Sequence, residues 1–214
     1  MPYRFTPWIG RHYGQARQRL LILGESFYGA GMPGDRELAR MVMENWKAHQ
    51  YTITALTKTA HLLTEIPVAE INHHRQDFFN GCIFYNFVQE YVGEKPRMFL
   101  NPALLKDERA CRERLQPSVA ALQHLLATHT PTHILGWGWR LRELLLRLDL
   151  GITRDETIDG YSLPIAGQKT ALMFVPHPSG RGGAMYKHKG RAQRFLKAHG
   201  GIAPAAIYSP SQNA

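Results

Sequence analysis

The sequence predicts an α/β fold in which a parallel sheet carries helices on both faces. Three observations predict it. Four short apolar runs, "RLLILG" (residues 19–24), "CIFYNF" (82–87), "THILGWG" (132–138) and "TALMFVPHPSG" (170–180), stop at or near glycine, asparagine or proline. Stretches with apolar residues at helical spacing lie between and after them. The runs are continuously apolar, which is how strands buried on both faces read. Strands alternating with helices in this way argue for a parallel sheet. At 214 residues, with hydrophobic residues at 44%, the chain suffices for one such domain and is short for two.

Each element follows from its residues. "RLLILG" reads as the first buried strand. "DRELARMVMENWKAHQ" (35–50) opens with acidic residues and then repeats apolar ones at helical spacing, so it reads as a helix with Asp35 near its N-cap. "CIFYNF" is the second strand. "DERACRERLQPSVAALQHLLATH" (107–129) is helical on both sides of Pro117, a residue expected to break or kink it. "THILGWG" is the third strand, and "WRLRELLLRLDL" (139–150) a basic amphipathic helix. "TALMFVPHPSG" is a fourth strand running into a proline-punctuated loop, and "KHKGRAQRFLKAHG" (187–200) a last basic helix. Residues 1–202 are expected to form a single domain. The tail "APAAIYSPSQNA" (203–214) is small, polar and proline-broken, and is expected to be loosely held.

Charge and cysteine usage bound the partners. The formal charge of +9 favours an anionic partner, of which a nucleic-acid backbone is the commonest. It equally fits a basic protein that charge merely keeps in solution. The two cysteines, Cys82 and Cys111, form no C-x-x-C, so neither a zinc ribbon nor a four-cysteine iron–sulfur site is expected within the chain. The histidines show no metal spacing, and no metal or other cofactor is expected. So few cysteines suit a reducing compartment without a disulfide framework. No apolar run reaches membrane-spanning length, and residues 1–14 lack the apolar segment of a secretory signal. A cytoplasmic monomer with no membrane partner is the expectation.

The stretch "LLILGESFYGAGMPG" (20–34) contains a literal G-x-G-x-x-G at Gly29, Gly31 and Gly34. A dinucleotide loop needs its glycines directly after the strand and an acidic residue about twenty positions on. Here "ESFY" intervenes, and "NWKAHQYTITALTK" holds no acidic residue. The glycines read instead as a loop. Three strands end in chemical groups, at "LGES", "FYNF" and "VPHPSG", and ligands of open parallel sheets bind beyond the carboxyl ends of the strands. One crevice then collects Glu25, Ser26, Asn86 and His177. Each residue also has a bland reading: Glu25 or Ser26 capping a turn, Asn86 buried and satisfied by backbone, His177 solvated on a stiff turn. Pro176 and Pro178 restrict the backbone around His177. Ser179, Arg181, Lys187 and the glycines near them suit a phosphate chain. Asn86 carries both donor and acceptor, as a base edge does.

Taken in order, "LILGESFYG", "FYNF", "HILGWG" and "VPHPSG" resemble the uracil-DNA glycosylase superfamily, across residues 19 to about 197. Members carry G-Q-D-P-Y-H, G-E-A-P-G or G-M-N-P-G after the first strand, an asparagine at a later strand end, and H-P-S after the last. The resemblance implies a three-layer α/β/α fold with a central four-stranded parallel sheet. It also implies a DNA glycosylase that flips a deaminated base out of DNA and cleaves its N-glycosidic bond in base-excision repair. It places Asn86 on the flipped base and His177 on the base oxygen that gains charge. It sets Tyr28 near the base C5, with Gly24 and Phe27 also lining the base pocket. Glu25 falls at the second motif position, and Ser26 where one branch has its water-positioning aspartate. Ser179, Arg181 and Lys187 are the expected DNA contacts. Phe27 replaces the motif proline. Phe27, Trp46 and Phe79 are candidates for the stacking aromatic, and Arg181 or Met185 for a wedge. The alternatives are a non-catalytic nucleic-acid-binding member of the same fold and a hydrolase acting on nucleosides or nucleotides.

Overall fold

The computed structural model describes residues 3–26, 36–50, 54–90, 107–180, 184–198 and 207–208. Its centre is one mixed sheet of seven strands in the order β1-β3-β2-β4-β7-β6-β5. These are β1 (Trp8–Ile9), β2 (Leu20–Gly24), β3 (Cys82–Asn86), β4 (His133–Trp137), β5 (Thr153–Asp155), β6 (Gly160–Ile165) and β7 (Gln168–Val175). The expected apolar runs supply β2, β3, β4 and β7, and these lie next to one another in parallel. The expected sheet of four is therefore too small. β1 adds antiparallel to β3 on one edge, and β6 and β5 add antiparallel beyond β7 on the other.

Alternation along the parallel strands sends side chains to two separate cores. Leu20, Ile22, Cys82, Phe84, Leu135, Trp137, Met173 and Val175 belong to one. Leu21, Leu23, Ile83, Tyr85, Ile134, Leu172 and Phe174 belong to the other. The first core is closed by α1 (Leu38–Lys47), α2 (Thr54–Thr64), α3 (Val68–His73) and α6 (Lys189–Lys197), through residues such as Trp46, Leu63, Ile71 and Phe195. The second is closed by α4 (Glu108–His129) and α5 (Trp139–Arg147), through Leu115, Leu122, Leu125, Leu141 and Leu144. Burial on both faces explains why these strands carry no polar alternation. Cys82 and Cys111 are buried and divided between the two cores.

Two expectations change here. Pro117 neither breaks nor ends its helix: α4 runs continuously from Glu108 to His129. Pro117 faces solvent, as does Glu113, so the carbonyl that loses its amide partner lies on the exposed side of the helix. Leu115 before it and Ala121, Leu122 and Leu125 after it hold the helix on the sheet. At the tail, Ile207 is buried, its carbonyl accepts the Phe79 amide at 2.6 Å, and Tyr208 pairs with Phe78. Those two positions are docked. The remainder of residues 203–214 lies outside the described residues, as does Asp35. No helix among the described residues is long and apolar enough to cross a membrane.

Candidate active site at the strand ends

The register brings the carboxyl ends of the parallel strands level. Gly24 pairs with Asn86, Leu23 with Gly136, and Trp137 with Val175. The ladder continues one step past β2 and β3. The Phe87 amide donates to the Gly24 carbonyl at 2.9 Å and the Val88 amide to the Glu25 carbonyl at 2.8 Å. Glu25 thus leaves the sheet from a fixed backbone. Asn86 is fixed as well. Its carbonyl accepts from Gln89 Nε2 at 2.9 Å, and the buried Gln89 takes the Arg4 and Phe5 amides on its Oε1, both at 3.0 Å.

A Cβ built on Gly24 collides with Asn86 Oδ1, so the Asn86 amide lies directly across the glycine. Gly24 is needed for this close approach. Asn86 is 6% exposed, and the atom that such a Cβ would meet first is its side-chain oxygen. Gly24→Ala must push that amide aside. We expect it to lower unfolding stability by about 1–3 kcal/mol, seen as a lower denaturant midpoint at unchanged slope. An unshifted midpoint would show that the amide moves freely.

The "HPSG" loop sets the tautomer of His177. The Ser179 hydroxyl lies 2.6 Å from His177 Nδ1, and the Ser179 backbone amide donates to the same nitrogen at 3.3 Å. A backbone N–H only donates, so Nδ1 is the acceptor and the proton of the neutral ring sits on Nε2. Burial holds the imidazole below the ordinary histidine value; the Glu25 charge pulls it up and the Arg140 charge pushes it down. His177 is therefore a neutral ring at pH 7 with an Nε2–H donor. Its ring packs against Trp137, centroids 6.0 Å apart at 79°. Trp137 is buried against Phe84, and its indole Nε1–H finds no partner among the described residues.

Glu25 meets a residue that the sequence does not announce. Arg140 Nε donates to Glu25 Oε2 at 2.6 Å and Arg140 Nη2 to Oε1, a two-point clasp between side chains 30% and 11% exposed. Gly138, at φ 98°, turns the chain from β4 directly into α5, which puts Arg140 in the first turn of that helix. Read by sequence, Arg140 belongs to the polar face of a basic amphipathic helix. Its one signal is position: it follows a strand that ends in glycine, and a cation at a helix N-terminus opposes the helix dipole unless an anion is near.

The remaining expected residues divide. Ser26 is buried, with its hydroxyl 3.5 Å from Glu25 Oε1. Ser179 is engaged with His177. Lys187 is exposed, and Lys58 on α2 reaches the Gly180 carbonyl at 3.4 Å, which brings a second lysine to the loop. Phe27, Tyr28 and Arg181 lie outside the described residues. Trp46 and Phe79 do not serve as stacking platforms: both are wholly buried and pack on each other at 5.4 Å, with the Trp46 indole nitrogen donating to Thr57. Met185 is likewise core, and so no wedge. Among the described residues, no group of three or more histidine, cysteine or acidic side chains is placed to hold a metal.

Compared with known proteins, the chain matches no protein-family model and no curated protein.

Proposed function

We propose that this chain is a monofunctional DNA glycosylase that hydrolyses the N-glycosidic bond of uracil or another deaminated base, with a four-stranded parallel core between helical layers like that of the uracil-DNA glycosylase superfamily. One observation carries the reading. The Asn86 amide, lying across Gly24 at the end of β3, and the Nε2–H of a neutral His177, just past β7, stand at the carboxyl edge of one run of four parallel strands, with β2 and β4 between them. Such a pair suits a flat ring that offers both a donor–acceptor edge and a carbonyl oxygen.

The chemistry follows from charge. The C1′–N bond breaks, its electron pair leaves with the base, and the sugar becomes cationic. Donors aimed at the base oxygen stabilise the departing anion, each worth roughly 3–4 kcal/mol. His177 supplies one and Asn86 another. Water bonds to C1′, and its proton passes by way of the Glu25 carboxylate to the departing base anion. Glu25 is a carboxylate directly past the end of β2, and its Oε2 meets Arg140 through one contact. The base must first leave the stack, at a few kcal/mol, and basic groups such as Lys58 and Lys187 offset this through phosphate contacts.

A panel of uracil, hypoxanthine and xanthine in single- and double-stranded oligonucleotides tests the reading. We expect free base and an alkali-labile site from at least one substrate; a wild-type protein that leaves all of them intact overturns it. One observation favours a second reading, a DNA-binding protein without catalysis. Ser26 is a poor base, and both Glu25 oxygens face Arg140. That reading predicts steeply salt-dependent DNA binding with no abasic product.

A further inference from the structure

Arg140 serves neither core packing nor an exposed salt bridge. Its guanidinium lies side-on to Glu25, so both carboxylate oxygens are fixed at once. A fork of this kind sets orientation as well as distance, which a lysine cannot do. The carboxylate is 11% exposed, and a charge so far out of water needs a partner. Among the described residues the carboxylate is held by one side chain from α5, with the Ser26 hydroxyl 3.5 Å from Oε1.

Among the described residues, the groups around His177 are few. Glu25 comes from the end of β2, Arg140 from the first turn of α5, the Trp137 ring from β4 and Ser179 from its own loop. Lys58 of α2 holds the Gly180 carbonyl of that loop. Of the formal charges, Glu25 and Arg140 act on the imidazole with opposite sign. An unmatched carboxylate there would draw a proton onto His177. An imidazolium carries a proton on both nitrogens and so cannot accept the Ser179 amide at Nδ1.

We propose that Arg140 is a positioning residue: it fixes the Glu25 carboxylate at the strand ends and balances its charge beside His177. The imidazole then stays neutral, and the Glu25 carboxylate is held where positive charge grows on the sugar. The helix dipole adds to the effect, because the positive end of α5 also favours the Glu25 carboxylate. This role deepens the glycosylase reading and rests on it for its catalytic meaning. Its electrostatic part can be read without any substrate.

The test follows the titration of the His177 imidazole C–H by NMR in the DNA-free protein, with His177→Ala identifying the signal. Arg140→Gln is expected to move the midpoint up, because Glu25 is left unmatched. Glu25→Gln is expected to move it down, because Arg140 is left unmatched. The double variant returns it toward wild type, and serves if either single variant folds poorly. His133, buried and bonded to Ala198 at 3.0 Å, reports folding in the same spectra. In base-release assays Arg140→Lys keeps the charge but loses the fork, and is expected to lower kcat about tenfold or more with KM little changed. Midpoints that stay at the wild-type value in both single variants overturn the inference, even in an active enzyme. Opposite shifts in a protein that releases no base support the charge balance and strike only the glycosylase reading.

Discussion

His177→Ala is expected to lower base release about 10²- to 10³-fold while leaving salt-sensitive DNA binding in place. The variant removes a donor whose tautomer is set by Ser179, at 2.6 Å from the hydroxyl and 3.3 Å from the amide. The donor matters most when the base oxygen becomes anionic, so the loss falls on kcat more than on KM. Asn86→Ala should also lose most activity, but with a larger share in KM, because in the proposed mechanism its amide reads the base before the bond breaks. Both losses are measured by single-turnover release from a uracil-containing strand, beside a binding titration on the same strand. His177→Ala protein that is folded, binds DNA and keeps wild-type kcat would move this histidine out of the chemistry.

Lys47→Met is expected to lower unfolding stability by about 2–4 kcal/mol. Lys47 is 8% exposed, at the end of α1, and its ammonium donates to the Gln76 carbonyl at 2.8 Å, the Phe78 carbonyl at 2.5 Å and Asn80 Oδ1 at 3.1 Å. The clasp is reciprocal: Gln76 Nε2 donates to the Lys47 carbonyl at 2.9 Å, and Arg75 Nη1 to the Trp46 carbonyl at 3.3 Å. Methionine keeps the stem and leaves the acceptors in the buried loop before β3 without this donor. Burial pushes Lys47 down to about 8 from its ordinary value of 10.5. Between those values the unfolded chain binds the proton more tightly, so this group makes stability rise as pH rises through the window. The contribution is full above the unfolded value and is lost as pH falls through about 8. Buried Cys82, Tyr13 and Tyr85, all raised by burial, act in the opposite sense at alkaline pH. The Lys47 effect is therefore read as the difference between wild type and Lys47→Met. Denaturant curves should show that difference growing in favour of wild type from pH 7.5 to 9.5, and a flat difference would contradict it.

The parallel strands and most of the strand-end residues were legible because buried strands and ligand sites impose strong local rules. Leu20–Gly24, Cys82–Asn86, His133–Trp137 and the apolar end of Gln168–Val175 stop abruptly, and Glu25, Asn86 and His177 stand at the first, second and fourth of those stops. The edge strands were not legible. Trp8–Ile9 is too short for any period, and β6 is interrupted by the exposed Pro164. The turn between β6 and β7 uses Ala166 and Gly167, both at positive φ, and the alanine there gives no turn signal. α2 is rich in threonine, which is weak in helices alone. Thr59 and Thr64 return their hydroxyls to carbonyls four residues back, and packing supplies the rest. Arg140 was hidden for a different reason. Its role depends on a contact with Glu25, 115 positions away, and no local pattern records that.

The central claim is hydrolysis at the strand ends, and its most direct measurement follows the oxygen. Wild-type protein is incubated in heavy-oxygen water with an oligonucleotide bearing one uracil, and both products are examined by mass spectrometry. The account predicts free uracil with no heavy oxygen, and an intact strand carrying one heavy oxygen on the abasic sugar when trapped by reduction at once. A strand that is bound, with its base still attached after prolonged incubation, would contradict it.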